Sequence, residues 1–109
     1  MRTHEDSRRR LAEFCDGPYG ACKVIVAKEA CVLGDHWHAH KTEEFMLIAG
    51  RATRVIIGNR EFGSIDAPYA WTVPPGTYHL FDLEPGSVLI GTATKPFDPE
   101  DEIKGRPDG

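Results

Sequence analysis

This sequence predicts an all-β fold, an antiparallel sandwich or barrel, on three observations. Apolar residues fall in short runs rich in β-branched and aromatic side chains, each too short for a core helix. Turn-forming residues close these runs at short intervals, as in Gly34-Asp35, Gly58-Asn59, Pro74-Pro75-Gly76 and Pro85-Gly86. A chain of 109 residues, 40% hydrophobic and 28% charged, has the size and composition of one compact globule with a single core.

Taken in order, residues 1–22 are expected to form an N-terminal arm or short helix. Glu5 to Phe14 is polar and charged with little apolar face, and Arg8-Arg9-Arg10 reads as a solvated cationic patch. Strand character begins at Lys23 and runs through Lys28, then resumes from Ala30 to Leu33, where Gly34-Asp35 closes it. Further strands are expected at Phe45 to Ala49, Arg54 to Ile57, Trp71 to Val73, after His79, and from Val88 to Thr94, giving a sandwich or barrel over residues 23–94. Residues 95–109, acidic and punctuated by Pro96 and Pro99, are expected to be a tail that wraps the surface and frays.

Composition removes several functional classes. The formal charge of -4 offers no basic field for a phosphate backbone, so nucleic acid is not an expected partner. No run approaches the ~18 consecutive apolar residues of a membrane span, and the charged start leads into no apolar signal core, so a cytoplasmic protein without membrane contact is expected. Cys15, Cys22 and Cys31 are odd in number and lack C-x-x-C spacing, which fits buried or idle thiols better than a disulfide framework or a cysteine zinc site.

The chemically informative segment is Asp35-His36-Trp37-His38-Ala39-His40-Lys41-Thr42-Glu43-Glu44. Residues two apart on a strand share a face about 6.6 Å apart, so paired imidazoles at that spacing can lean onto one ion roughly 2.1 Å from each ring nitrogen. Glu43 or Glu44 can bend back to the same point and supply the negative charge that a buried divalent cation requires. Farther on, Val73-Pro74-Pro75-Gly76-Thr77-Tyr78-His79 is a proline-glycine turn delivering another histidine to the start of an apolar run.

These residues resemble the two motifs of the cupin superfamily, whose fold is a small antiparallel β-barrel of the double-stranded β-helix or jelly-roll type. The first motif, G-x5-H-x-H-x(3 or 4)-E-x6-G, falls on His36, His38, Glu43 and Gly50; the second, G-x5-P-x-G-x2-H-x3-N, falls on Pro74, Gly76 and His79. Ala30, Pro68 and Leu83 stand where the family pattern has glycine, glycine and asparagine, none of them a ligand position. The resemblance implies His36, His38, Glu43 and His79 as ligands of one divalent transition metal ion per chain: iron, manganese, nickel, cobalt or zinc. A register on His38 and His40 satisfies one motif spacing with Glu44 but breaks the other. With His36 and His38 as the pair, His40 is a same-face neighbour near the barrel mouth and a candidate catalytic group. If Glu43 points inward, alternation sends Phe45 and Leu47 inward, and Phe81 follows His79; these are candidate pocket-lining residues.

Four protein ligands leave two adjacent positions open on an octahedral ion, enough to hold a substrate through two oxygens or to bind substrate and dioxygen together. The resemblance therefore implies a metal-dependent cupin acting on a small oxygenated molecule such as a sugar or keto acid, by isomerase, epimerase, lyase or dioxygenase chemistry. Two other readings stay open. The segment His36 to Lys41 also resembles the paired-histidine segment of nucleotide-sugar ketoisomerases, which would make the protein a metal-independent sugar isomerase or epimerase. A non-catalytic binding or sensing module could use the same pocket. Trp37, between two inward histidines, is expected to face outward, against the N-terminal arm or, as cupins commonly dimerise, in a homodimer.

Overall fold

The computed structural model describes the backbone of residues 2–17 and 20–106, and the side chains of residues 4–11 and 20–106. Among the described residues twelve strands follow one another: β1 (Arg2–Glu5), β2 (Arg9–Gly17), β3 (Gly20–Ala27), β4 (Cys31–His38), β5 (Glu43–Ala49), β6 (Arg51–Ile57), β7 (Arg60–Phe62), β8 (Ile65–Asp66), β9 (Tyr69–Val73), β10 (His79–Leu83), β11 (Val88–Ala93) and β12 (Glu102–Lys104). One sheet has the order β1-β2-β3-β11-β5-β9 and the other β12-β4-β10-β6-β7, with β8 also paired to β6. Every pairing is antiparallel, and the two sheets face each other as a barrel-like jelly roll that does not close.

The strand alternation read from the sequence places the core. Ile25, Phe45, Leu47, Trp71, Val73 and Leu89 of the first sheet meet Leu33, Val55, Phe81 and Leu83 of the second, all buried in one cluster. Phe81 joins the layers, with its ring centroid 4.9 Å from that of Phe45 and 5.3 Å from that of Trp71, separations at which tilted aromatic pairs attract. Burying a side chain of this size contributes roughly 1.5–3 kcal/mol.

Three expectations change. Of the expected N-terminal arm or helix over 1–22, the described residues form strands instead: β1 and β2 extend the first sheet, and β2 pairs along β3 with Leu11 opposite Ile25. Backbone hydrogen bonds to an existing edge suffice for this pairing, so a polar composition does not prevent it. Asp6 makes the turn, its Oδ1 accepting from the amides of Arg8 (2.8 Å) and Arg9 (3.0 Å). Gly34-Asp35 does not end a strand, because β4 runs through it to His38. Finally, the expected tail returns to the fold. Asp98 caps a 3-10 turn (Pro99–Asp101) through its carboxylate, and β12 then adds to the free edge of β4.

Cys22 is half-buried and free, and Cys31 is buried and free, with its thiol pushed upward by desolvation; the side chain of Cys15 lies outside the described residues. Arg51 and Arg54 are engaged in surface ion pairs with Asp66 (2.8 Å) and Glu61 (2.6 Å). No helix among the described residues is long and apolar enough to cross a membrane.

Leu89 is fully buried between the sheets. Leu89→Ala is expected to lower the unfolding free energy in urea by about 2–5 kcal/mol. A loss under about 1 kcal/mol would show that the two layers do not share one tightly packed core.

Candidate metal centre

The centre depends on a change of parity within β4. Cys31 and Leu33 point into the core, and regular alternation would send Asp35 and Trp37 after them. Instead the backbone takes left-handed angles at Gly34 (φ 86°) and Asp35 (φ 58°), and the pairing with β10 slips: Leu80 lies opposite Gly34, but His79 lies opposite His36. This β-bulge turns His36 and His38 inward and leaves Trp37 on the other side, half-buried and in register with Ile103 of β12. Gly34 is required sterically as well, since a Cβ there would sit 2.7 Å from the carbonyl oxygen of His79. The Tyr78 hydroxyl donates to the Asp35 carboxylate across the bulge; burial, then this partner, raises the phenol to about 12.

The other two members come from β5 in the facing sheet and from β10, the strand paired with β4. Glu43 opens β5 and is 2% exposed; His79 opens β10 after the Pro74-Pro75-Gly76 turn and is equally buried. The Gly76 amide donates to the His38 carbonyl (2.7 Å), tying that turn to the end of β4. Potential ligand atoms of His36, His38, Glu43 and His79 all lie within 4.8 Å of one another. His38 Nε2 is 3.1 Å and His79 Nε2 3.7 Å from Glu43 Oε1, and the His36 ring centroid is 4.7 Å from that of His38 and 4.5 Å from that of His79.

These four residues suit a cation. Glu43 Oε1 is buried without a hydrogen-bond donor aligned on it, despite the nearby imidazole nitrogens. A buried carboxylate oxygen left so is costly unless a positive charge meets it. Burial pushes His36 down to about 4 and His79 to about 3, in each case against the opposing pull of Glu43, so both are neutral at pH 7. Burial would raise Glu43, but the close approach of His38 and the charge of Lys23 outweigh it and hold the carboxyl at about 2. Neutral imidazoles and an ionised carboxylate are the protonation states that bind a divalent transition ion.

A cavity of about 440 Å³ opens beside the cluster, with His36 and His79 on its wall. Phe45 and Phe81 line it, whereas Leu47 lies fully buried in the core and off the wall. His40 is exposed and outside the four-residue group; its amide donates to Asp101. Four residues given no role at the site by the sequence also reach this region. Lys23 and Arg9 line the cavity, with Lys23 Nζ 3.8 Å from Glu43 Oε2 and 5.6 Å from the Phe45 ring centre. Their strand parity, shared with Ile25 and Leu11, was the available signal. Arg9 thus departs from the solvated reading of Arg8-Arg9-Arg10. Glu102 and Asp101 approach His36 and His38 from the C-terminal segment, which no local pattern connects to the histidines.

A jelly roll that gathers three histidines and a glutamate between its sheets defines a protein of the cupin type. Within that class, the chain belongs to the polysaccharide biosynthesis C-terminal domain family, whose profile matches residues 4–68. Its fold is similar to that of the capsular polysaccharide assembling protein CapF from Staphylococcus aureus, with a TM-score of 0.80 and 23% identity over 96% of this chain and 34% of that one. It is similar to oxalate decarboxylase from Bacillus subtilis, with a TM-score of 0.74 and 21% identity over 94% of this chain and 29% of that one. KdgF from Halomonas sp. matches with a TM-score of 0.74 and 16% identity over 92% of this chain and 90% of that one. The chain thus spans about a third of the length of CapF. No curated protein sequence matches it.

Two predictions follow from this geometry. Gly34→Ala is expected to destabilise the protein by about 2–4 kcal/mol, from left-handed strain and the contact with His79. Chemical denaturation reads the effect, and an unchanged midpoint would remove the steric role given to the bulge. For the metal-free protein, acid should destabilise. Unfolded histidines take up protons near pH 6.5, but folded His36 and His79 do so only near 4 and 3, so stability is lost as pH falls through that window. Glu43 adds loss in the same direction from about 4.5 down to about 2. The thermal midpoint should fall steadily between pH 7 and pH 4, and less steeply in His79→Gln; equal slopes in the two proteins would contradict the buried neutral imidazole.

Proposed function

We propose that this chain is a metal-dependent cupin acting on a small oxygenated, sugar-like molecule. The observation that carries the reading is the buried Glu43 oxygen, unpartnered among three inward imidazoles. His36, His38, His79 and Glu43 would hold one divalent transition ion. Such an ion supplies Lewis acidity, drawing electron density from a substrate carbonyl or enolate oxygen.

The rest of the work falls to the cavity. Phe45, Phe81, Leu33 and Leu89 give an apolar wall that excludes water from the reacting end. Lys23 and Arg9 put positive charge on the same cavity, which favours a substrate with a carboxylate or phosphate group and orients that group away from the apolar wall. Lys23 Nζ, close to both Glu43 and the cavity, is the ammonium placed to neutralise charge that develops on a substrate oxygen.

The family's description and the likeness to a capsular polysaccharide assembling protein support a sugar-class substrate. CapF is also known in a structure with the inhibitor 3-isopropenyl-tropolone; a tropolone carries adjacent hydroxyl and carbonyl oxygens, the donor pair suited to two open positions on an octahedral ion.

Purified protein is expected to carry close to one transition ion per chain by elemental analysis. Glu43→Gln should lower metal affinity by more than about 100-fold and remove turnover in a screen of acidic and nucleotide sugars. A chain that stays empty when offered iron, manganese, nickel, cobalt and zinc would overturn the proposal. Full turnover by Glu43→Gln would favour acid-base chemistry by the histidines without a metal.

A further inference from the structure

We propose that strand β12 and the turn before it belong to the metal centre, with Glu102 the positioning residue of His36 and Asp101 the residue that holds the end of β4 carrying His38. The inference rests on the metal reading above and concerns residues beyond both histidine motifs and beyond the family match at 4–68.

The register of β12 sets the geometry. Glu102 lies directly across from His38 and Lys104 across from His36, and the Gly105 amide continues the pairing to the Asp35 carbonyl at 3.1 Å. Glu102 therefore reaches diagonally along the strand pair, a distance that a long side chain spans. Its Oε1 lies 2.8 Å from His36 Nδ1, on the wall of the cavity. The contact is off the ring N–H axis, and the Nδ1 atom has no other partner. A carboxylate only accepts, so its presence there favours the tautomer with the proton on Nδ1 and leaves the Nε2 lone pair for the ion. Asp101, 8% exposed, accepts from the amides of Ala39 (3.0 Å) and His40 (3.1 Å) through Oδ1, while its Oδ2 stands 4.0 Å from His38 Nδ1. Consecutive carboxylates thus face the outer nitrogens of two inward histidines. This is the arrangement by which an outer carboxylate fixes the orientation and basicity of a metal-binding imidazole.

The test titrates Co²⁺ into the full chain against a competing chelator and records the Co²⁺ absorption spectrum, alongside thermal unfolding of the metal-free protein. Glu102→Ala is expected to weaken Co²⁺ binding by about 10–100-fold and to alter the spectrum, with the metal-free midpoint little changed. Glu102→Gln, which keeps an acceptor oxygen for Nδ1–H, should recover part of the affinity. Wild-type affinity and spectrum in Glu102→Ala would overturn the inference while leaving the metal reading intact. Equal losses in both variants with a lowered metal-free midpoint would make Glu102 only structural and overturn it too. A wild-type chain that binds no Co²⁺ would overturn the metal reading and this inference with it.

Discussion

One strand has to serve two interiors, and a two-residue irregularity lets it do so. The first half of β4 contributes Cys31 and Leu33 to an apolar core, and its second half contributes His36 and His38 to a polar cluster above that core. Both sets face the same side of the sheet although they are separated by an odd number of positions. Left-handed backbone at Gly34 and Asp35 absorbs the extra residue. Without it Trp37 would point inward and both imidazoles would face away from Glu43.

Other features of the site follow from holding that irregularity in place. Tyr78 binds Asp35 and immediately precedes His79, so the contact that secures the bulge also locates the third histidine. The carbonyl of His79 lies where a side chain at Gly34 would be, which brings the two strands closer than a larger residue allows. On the far edge, β12 pairs with the segment from His36 to His38, and Glu102 of this strand and Asp101 of the preceding turn bring two carboxylates to it. The imidazoles are thus constrained from both neighbouring strands. Such preorganisation is what a shared ligand needs from groups that would otherwise repel, stay solvated or rotate freely.

The protein places opposite demands on burial within a few ångströms. Phe45 and Phe81 pack ring to ring, and the same Phe45 ring lies 5.3 Å from His79 and beneath Lys23. The apolar wall keeps His36 and His79 neutral by desolvation, while Lys23 and His38 keep Glu43 ionised against that same desolvation. The result is a buried negative point beside a cavity whose walls carry Lys23 and Arg9.

By itself the sequence determined the all-β class and most of the strands, and its resemblance to the cupin motifs pointed to His36, His38, Glu43 and His79, which the fold gathers at one point. Those are local properties: runs of β-branched residues, glycine and proline at turns, and two short motifs of fixed spacing. Three things needed the tertiary structure. Gly34-Asp35 reads as a turn until β10 is seen pairing on both sides of it, because bulge and terminator use the same residues. Residues 2–17 look like a polar arm until the edge of β3 offers them backbone partners. Glu102 and Asp101 lie more than sixty positions from His36 and His38 in the chain, and nothing in their immediate surroundings marks them. Pairing between distant strands is decided by which sheet edges are free once the core has formed, and that information is not local to any segment.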